Sequence, residues 1–188
     1  MTTYIADTAH YTEVLTRVVQ VRHSLWIGTA DIKDLYVDLP SSCGRASVGS
    51  GASRVQRGTQ KVPLLGVLAK LIERGVEVRL IHAKEPGPNF REDFDRYPVL
   101  FSGLERVLCP RVHFKLLVFD GHTAYIGSAN LTGAGIGMKG QHKRNFEAGI
   151  LTDEPALVEA AMTQFDTVWI GRHCKSCLRR DYCLDPIK

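Results

Sequence analysis

HFKLLVFDGHTAYIGSAN, residues 113–130, reads as a strand, a turn and a second strand. His113 and Lys115 are two apart, and on a strand such side chains share a face. Phe114, between them, faces the opposite layer. Leu116 to Phe119 are apolar, which predicts a buried strand with a polar pair at its start. Asp120 ends that strand and Gly121-His122 makes the turn. Thr123 to Ile126 begin a neighbouring strand that finishes in Gly127-Ser128-Ala129-Asn130. A hairpin of this length returns Ser128 and Asn130 to His113 and Lys115. One nucleophile or base, one cation and two neutral hydrogen-bonding groups then meet in one cluster.

That set suits a phosphodiester. A neutral imidazole, with its reference pKa of about 6.5, keeps a lone pair available near pH 7 and can attack phosphorus. Lysine is a compact charge for a phosphate oxygen. Asn130 and Ser128 add donors to the charge that grows on the non-bridging oxygens. This arrangement needs no metal. His82-Ala83-Lys84 and His173-Cys174-Lys175 repeat the His-x-Lys pair, but neither is followed by the Asp or the Gly-Ser-x-Asn, so both read as structural or surface residues. Asp120 serves equally well as a chemical group or as a clamp on the turn and adjacent backbone.

Outward from the hairpin, helices and strands alternate, which predicts an α/β fold with a mixed β-sheet sandwiched between helices. Residues 9–22 have helical apolar spacing, and Leu25–Gly28 is a short buried strand. Residues 31–38 read as a helical turn. Pro63 opens a helix with Leu64, Leu65, Leu68, Leu71 and Ile72 on one face, capped by Gly75. Strands follow at 76–81, 105–109 and 146–151, with a polar helix at 89–97 and an amphipathic helix from Pro155 to about Arg172. Residues from about 40 to 60, rich in Ser, Gly and Arg, form a mobile loop. The domains expected are 1–172, catalytic, and 173–188, a cysteine-rich tail.

Composition bounds the rest. With 188 residues, 44% hydrophobic and 23% charged, the chain is an ordinary globular protein rather than a disordered or coiled-coil one. No run of 18 apolar residues predicts a membrane span, and the first residues carry no signal-peptide pattern, so the expected location is the cytoplasm. The net charge of +4 permits a polyanionic partner. Lys139, Lys143 and Arg144, in a Gly-rich stretch after the hairpin, are candidates for contacts with flanking phosphates. Arg45, Arg54, Arg57 and Lys61 are weaker candidates.

The spacing H-x-K-x4-D-x6-G-S-x-N, carried by His113, Lys115, Asp120, Gly127, Ser128 and Asn130, resembles the signature of the phospholipase D superfamily. It looks most like the small bacterial members with a single motif, which are nucleases. The resemblance implies a phospholipase D-like fold and a two-step reaction through a phosphohistidine. It also implies a downstream acidic residue that orients a catalytic histidine, a place that Glu147 fits. The reaction needs two histidines and the chain has one complete motif, so the implied state is a homodimer with a shared site. The expected activity is a metal-independent phosphodiesterase acting on nucleic acid. The alternatives are a lipid-directed hydrolase or phosphatidyl transferase, and a non-catalytic nucleic-acid-binding module.

The tail HCKSCLRRDYC lies outside that signature. Cys174, Cys177 and Cys183, with Cys109 as fourth ligand, are expected to hold a structural Zn2+. His173 and Cys43 are the alternatives to Cys109. An iron–sulfur cluster is the alternative metal group.

Overall fold

The computed structural model describes residues 1–40, 59–184 and 186. Its strands are β1 (Thr2–Ala6), β2 (Ser24–Thr29), β3 (Tyr36–Pro40), β4 (Thr59–Pro63), β5 (Glu77–His82), β6 (Leu104–Leu108), β7 (Lys115–Phe119), β8 (Thr123–Gly127) and β9 (Ala148–Thr152). The α-helices are α1 (Leu64–Glu73), α2 (Pro88–Asp95), α3 (Val99–Gly103) and α4 (Pro155–Trp169). Seven strands form one sheet in the order β1-β9-β8-β7-β2-β5-β6. On one side of β2 the pairing is parallel, through β5 to β6. On the other side it is antiparallel, through β7, β8 and β9 to β1. β3 and β4 make a separate antiparallel pair.

Strand alternation feeds two cores. Leu25, Ile27, Leu117 and Phe119 belong to the larger one, with Leu68 and Leu71 of α1. Trp26, Leu116 and Val118 face the other way and meet Val158, Ala161 and Phe165 of α4. The sheet is therefore covered by helices on both faces, as the alternation of elements predicts. α1 ends as its sequence suggests. Gly75, at φ +83°, sends its N–H to Ile72, and the Val76 N–H reaches Leu71. This is the Schellman pattern, which glycine accommodates without steric cost.

Several expectations are corrected. The helix expected over 9–22 is a π turn at His10–Val14 followed by a 3-10 helix at Leu15–Gln20. Its β-branched residues, Thr16, Val18 and Val19 among them, lose rotamer freedom in a regular α-helix. Residues 31–38 are not a helical turn but lead into β3. Leu35 and Val37 are buried while Tyr36 is exposed, so the true period is two. β1 and α3 are absent from the sequence reading. β1 buries only Ile5 deeply, the mark of an edge strand. The expected loop over 40–60 lies outside the described residues, except that Pro40, Thr59 and Gln60 belong to β3 and β4. Arg45, Arg54, Arg57 and Cys43 also lie outside them. Among the described residues, no helix is long and apolar enough to cross a membrane.

The β7–β8 turn centres on Asp120 and Gly121 rather than on Gly121-His122. Both have positive φ, +52° and +68°. The His122 N–H closes the turn on the Phe119 carbonyl at 3.1 Å. This mirror-image turn matches the twist of the strands it joins. The Asp120 carboxylate reaches across to the start of β2. It accepts the backbone N–H groups of His23 (2.7 Å), Ser24 (3.1 Å) and Arg22 (3.1 Å). Burial pushes this carboxyl up, but the three amides outweigh burial and hold it below its ordinary value.

Asp120→Ala should lower stability in urea by about 2 kcal/mol, the cost of removing a charged acceptor from backbone donors. In the wild type the contribution is complete above pH 3.8, the ordinary carboxyl value, and is lost as pH falls through the depressed folded value. Equal urea midpoints for the variant and the wild type at pH 7 would remove the clamp.

Candidate active site

Four strand ends meet at one edge of the sheet. β7 begins at Lys115, which pairs with Gly127 at the end of β8. Gly127 in turn pairs with Gly149, near the start of β9. On the other flank Leu116 pairs with Gly28, near the end of β2. His113 and Phe114 lead into β7 as extended chain. Phe114 packs so closely over Gly28 that a Cβ there would lie 2.2 Å from its ring. Phe114 is half-buried by that close approach, and His113 beside it is exposed.

Lys115 is buried, 6% exposed, with its ammonium beside the His113 ring. Nζ donates to the His113 carbonyl at 2.7 Å and lies 3.2 and 3.4 Å from Nδ1 and Nε2. An ammonium has only donors, so a ring nitrogen that accepts from it carries a lone pair. Burial lowers the Lys115 pKa, and the Glu147 charge raises it in part. Glu147 accepts from Ser128 Oγ at 2.5 Å and from Asn145 Nδ2 at 2.9 Å. Ser128 Oγ also accepts the Ala148 N–H at 3.0 Å, which ties β8 to β9. Asn130 is oriented from the far flank. Its Oδ1 accepts the Asp31 N–H at 3.1 Å and lies 3.3 Å from the Thr29 hydroxyl. With Oδ1 held there, the amide nitrogen is the end left for an anion.

The structure brings Lys115 to His113 and Ser128 to Glu147, whose charge reaches Lys115, while Asn130 is held on the β2 flank. Asp120 lies apart from these residues. It sits at the other end of β7, with its carboxylate on the amides of residues 22–24. Glu147 touches Ser128 and Asn145 rather than the His113 ring. Lys139 and Lys143 are exposed, whereas Arg144 is 3.5 Å from Asp7 and turned toward the N-terminal segment. Lys61 lies in β4, opposite Asp38. The imitation pairs are structural or surface, as expected. His82 is fully buried between the Lys84 carbonyl and Arg106, and His173 is exposed. The sequence reading misses Thr29, Asp31 and Asn145. The signal available was the polar ending of a buried strand, in Thr29-Ala30-Asp31.

The zinc expectation finds no support. Among the described residues, no group of three or more His, Cys, Asp or Glu side chains stands close enough together to hold a metal ion. Cys109, Cys174, Cys177 and Cys183 are free thiols, and the first three line one cavity. Cys177 Sγ is 3.7 Å from the Arg111 guanidinium, and Cys183 Sγ is 3.9 Å from the Leu108 carbonyl. The Arg179 backbone N–H and Arg111 hold the Cys177 thiol below its usual pKa. An iron–sulfur cluster would need the same convergence of thiols.

A mixed sheet with His, Lys and Asn at the ends of a hairpin defines a phospholipase D-type domain. The family described as cardiolipin synthase, PLD-like domain, matches residues 57–169, more than half of the chain. The chain belongs to this family. No curated protein matches it. Solved structures share its fold. Nuc from Salmonella typhimurium, a phospholipase D family member, aligns with TM-score 0.58 and 16% identity over 90% of this chain and 95% of its own. NucT from Helicobacter pylori aligns with TM-score 0.56 and 13% identity over 89% and 94%. TrmBL2, an archaeal chromatin protein, aligns with TM-score 0.53 and 13% identity over 89% of this chain and 51% of its own.

Turnover that needs charged Lys115 should fall on the alkaline side below pH 10.5, the ordinary lysine value. Glu147→Gln removes the charge that props this pKa up, so the alkaline limb of kcat should move to lower pH. A limb that keeps its position in Glu147→Gln would uncouple the two groups.

Proposed function

We propose that the protein is a metal-independent phosphodiesterase that cleaves nucleic acid through a phosphohistidine. The observation that carries this reading is the exposed His113 imidazole with the buried Lys115 ammonium 3.2 Å from Nδ1. Imidazole attacks phosphorus and the phosphorus–oxygen bond to the leaving group breaks. Lys115 and the Asn130 amide draw the charge on the non-bridging oxygens, and neither role needs a metal. A second imidazole gives the leaving oxygen its proton, then takes one from the water that opens the phosphohistidine.

That second imidazole is assigned to the partner subunit's His113, in a two-fold dimer. Two features support the assignment. No other histidine of the chain carries the accompanying motif. Phe146, immediately before Glu147, is 99% exposed, and a phenyl ring in that position favours being covered. Exposed Lys139 and Lys143 follow the motif in sequence and suit phosphates beyond the scissile one. The DNA-binding mode described for TrmBL2 is a further reason to favour nucleic acid. A lipid diester is the second reading, favoured by the family description, cardiolipin synthase.

The deciding assay offers DNA, RNA, bis(p-nitrophenyl) phosphate and phosphatidylcholine in EDTA. Nucleic acid should be cleaved and phosphatidylcholine should not. His113→Ala should abolish turnover while the protein stays folded, because an exposed side chain leaves no core cavity. Lys115→Ala and Asn130→Ala should each lower kcat about 100-fold or more. Full activity in folded His113→Ala ends the phosphohistidine reading.

Mixed dimers of His113→Ala and wild-type subunits should be severely impaired, since one site would use both imidazoles. A monomer fully active at micromolar concentration, as seen by light scattering, refutes the shared site.

A further inference from the structure

His113 has a second surrounding. Besides the Lys115 cluster, it lines a cavity of about 320 Å³ between the chain leading into β7, the second half of α4 and the cysteine tail. Val112, Phe114 and Val168 supply apolar wall. Gln164, Arg111 and His173 supply polar edges. The family match ends at residue 169, yet Gly171, His173, Cys174 and Cys177 form one side of this cavity. The tail thus supplies wall from beyond the matched segment. It is held there by Cys183 against the Leu108 carbonyl and by Cys177 against Arg111.

Building on the nuclease reading, we infer that this cavity is a nucleobase subsite, taking the base next to the scissile phosphate of a single strand. His113 belongs to both the cluster and the cavity, so whatever occupies the cavity lies within one nucleotide of the attacked phosphorus. The volume falls at the small end of ligand sites, roughly 300–1,000 Å³. Apolar walls suit the face of a base, and the Gln164 amide can donate to and accept from its edge. A polar rim of this kind suits a base better than an acyl chain. Arg111, exposed at the rim, suits the next phosphate. A base stacked in a duplex cannot enter such a cavity, so the strand must be single or the base flipped out.

The test compares a short single strand with the same strand carrying abasic sites on both sides of one central phosphodiester. Wild-type protein should cleave the base-bearing linkage at least about tenfold faster in kcat/KM, the lower range of what one stacked base contributes. Gln164 is exposed on α4, so Gln164→Trp fills the cavity without disturbing the core. This variant should bring the base-bearing rate down to the abasic rate. Circular dichroism and gel filtration matching the wild type establish that it is folded. Equal wild-type rates on the two strands overturn the subsite, as does a folded Gln164→Trp protein that keeps the preference. Cleavage of phosphatidylcholine that Gln164→Trp abolishes would give the cavity to an acyl chain and also overturn it. Failure of the wild type on both strands and on bis(p-nitrophenyl) phosphate would instead remove the nuclease reading beneath it.

Discussion

The grip of Asp120 on the backbone amides of residues 22–24 is the constraint on which the site depends. β2 is the strand that joins the parallel half of the sheet to the antiparallel half. Its pairing with β7 sets where the hairpin lies against everything else. A slip of one residue would exchange the faces of Leu116 and Leu117, and would carry His113 and Lys115 to the wrong side. The Asp120 clamp pins one end of the β2–β7 pair. The contact of Asp31 with Asn130 ties the chain after β8 to the chain after β2. Asp120 therefore acts at a distance from His113, by holding the register.

Lys115 shows how such a site becomes ready for an anion. Its ammonium is largely removed from water, and burial of a charge is costly unless a partner offsets it. Within the chain the offset is partial, from the Glu147 charge. On the proposed phosphodiesterase reading, a phosphodiester at His113 would bring the missing negative charge to the same place, and its binding would relieve a cost built into the folded protein.

The hairpin was legible because its signals are local. A polar pair before an apolar run, a turn within one residue of Gly121-His122 and polar residues at both mouths all lie within residues 113–130. The layered architecture was legible for the same reason, since each helix and buried strand advertises its period. What escaped were features settled by distant partners. β1 is an edge strand that pairs with β9 at the far end of the chain. β3 exists through its pairing with β4. Thr29 and Asp31 matter because Asn130 arrives beside them. The cysteines pose a related question, because their spacing fits a metal knuckle but whether thiols converge depends on how the tail packs.

The β7-β8-β9 meander has a consequence for the order of folding. Its three strands are neighbours in sequence as well as in the sheet, and the β7–β8 pairing closes a short loop, Asp120 to His122, at small entropic cost. Lys115, Ser128 and Glu147 can meet as soon as that unit forms. Asn130 cannot be oriented until β2, about a hundred residues earlier in the chain, has docked. The pairing of β2 with β5 closes a longer loop, residues 30–76, and costs more by the same reasoning. A partly folded chain would thus hold its lysine and glutamate together while its asparagine amide still swings. The polar groups at the strand ends are fully arranged only when the whole sheet is in register.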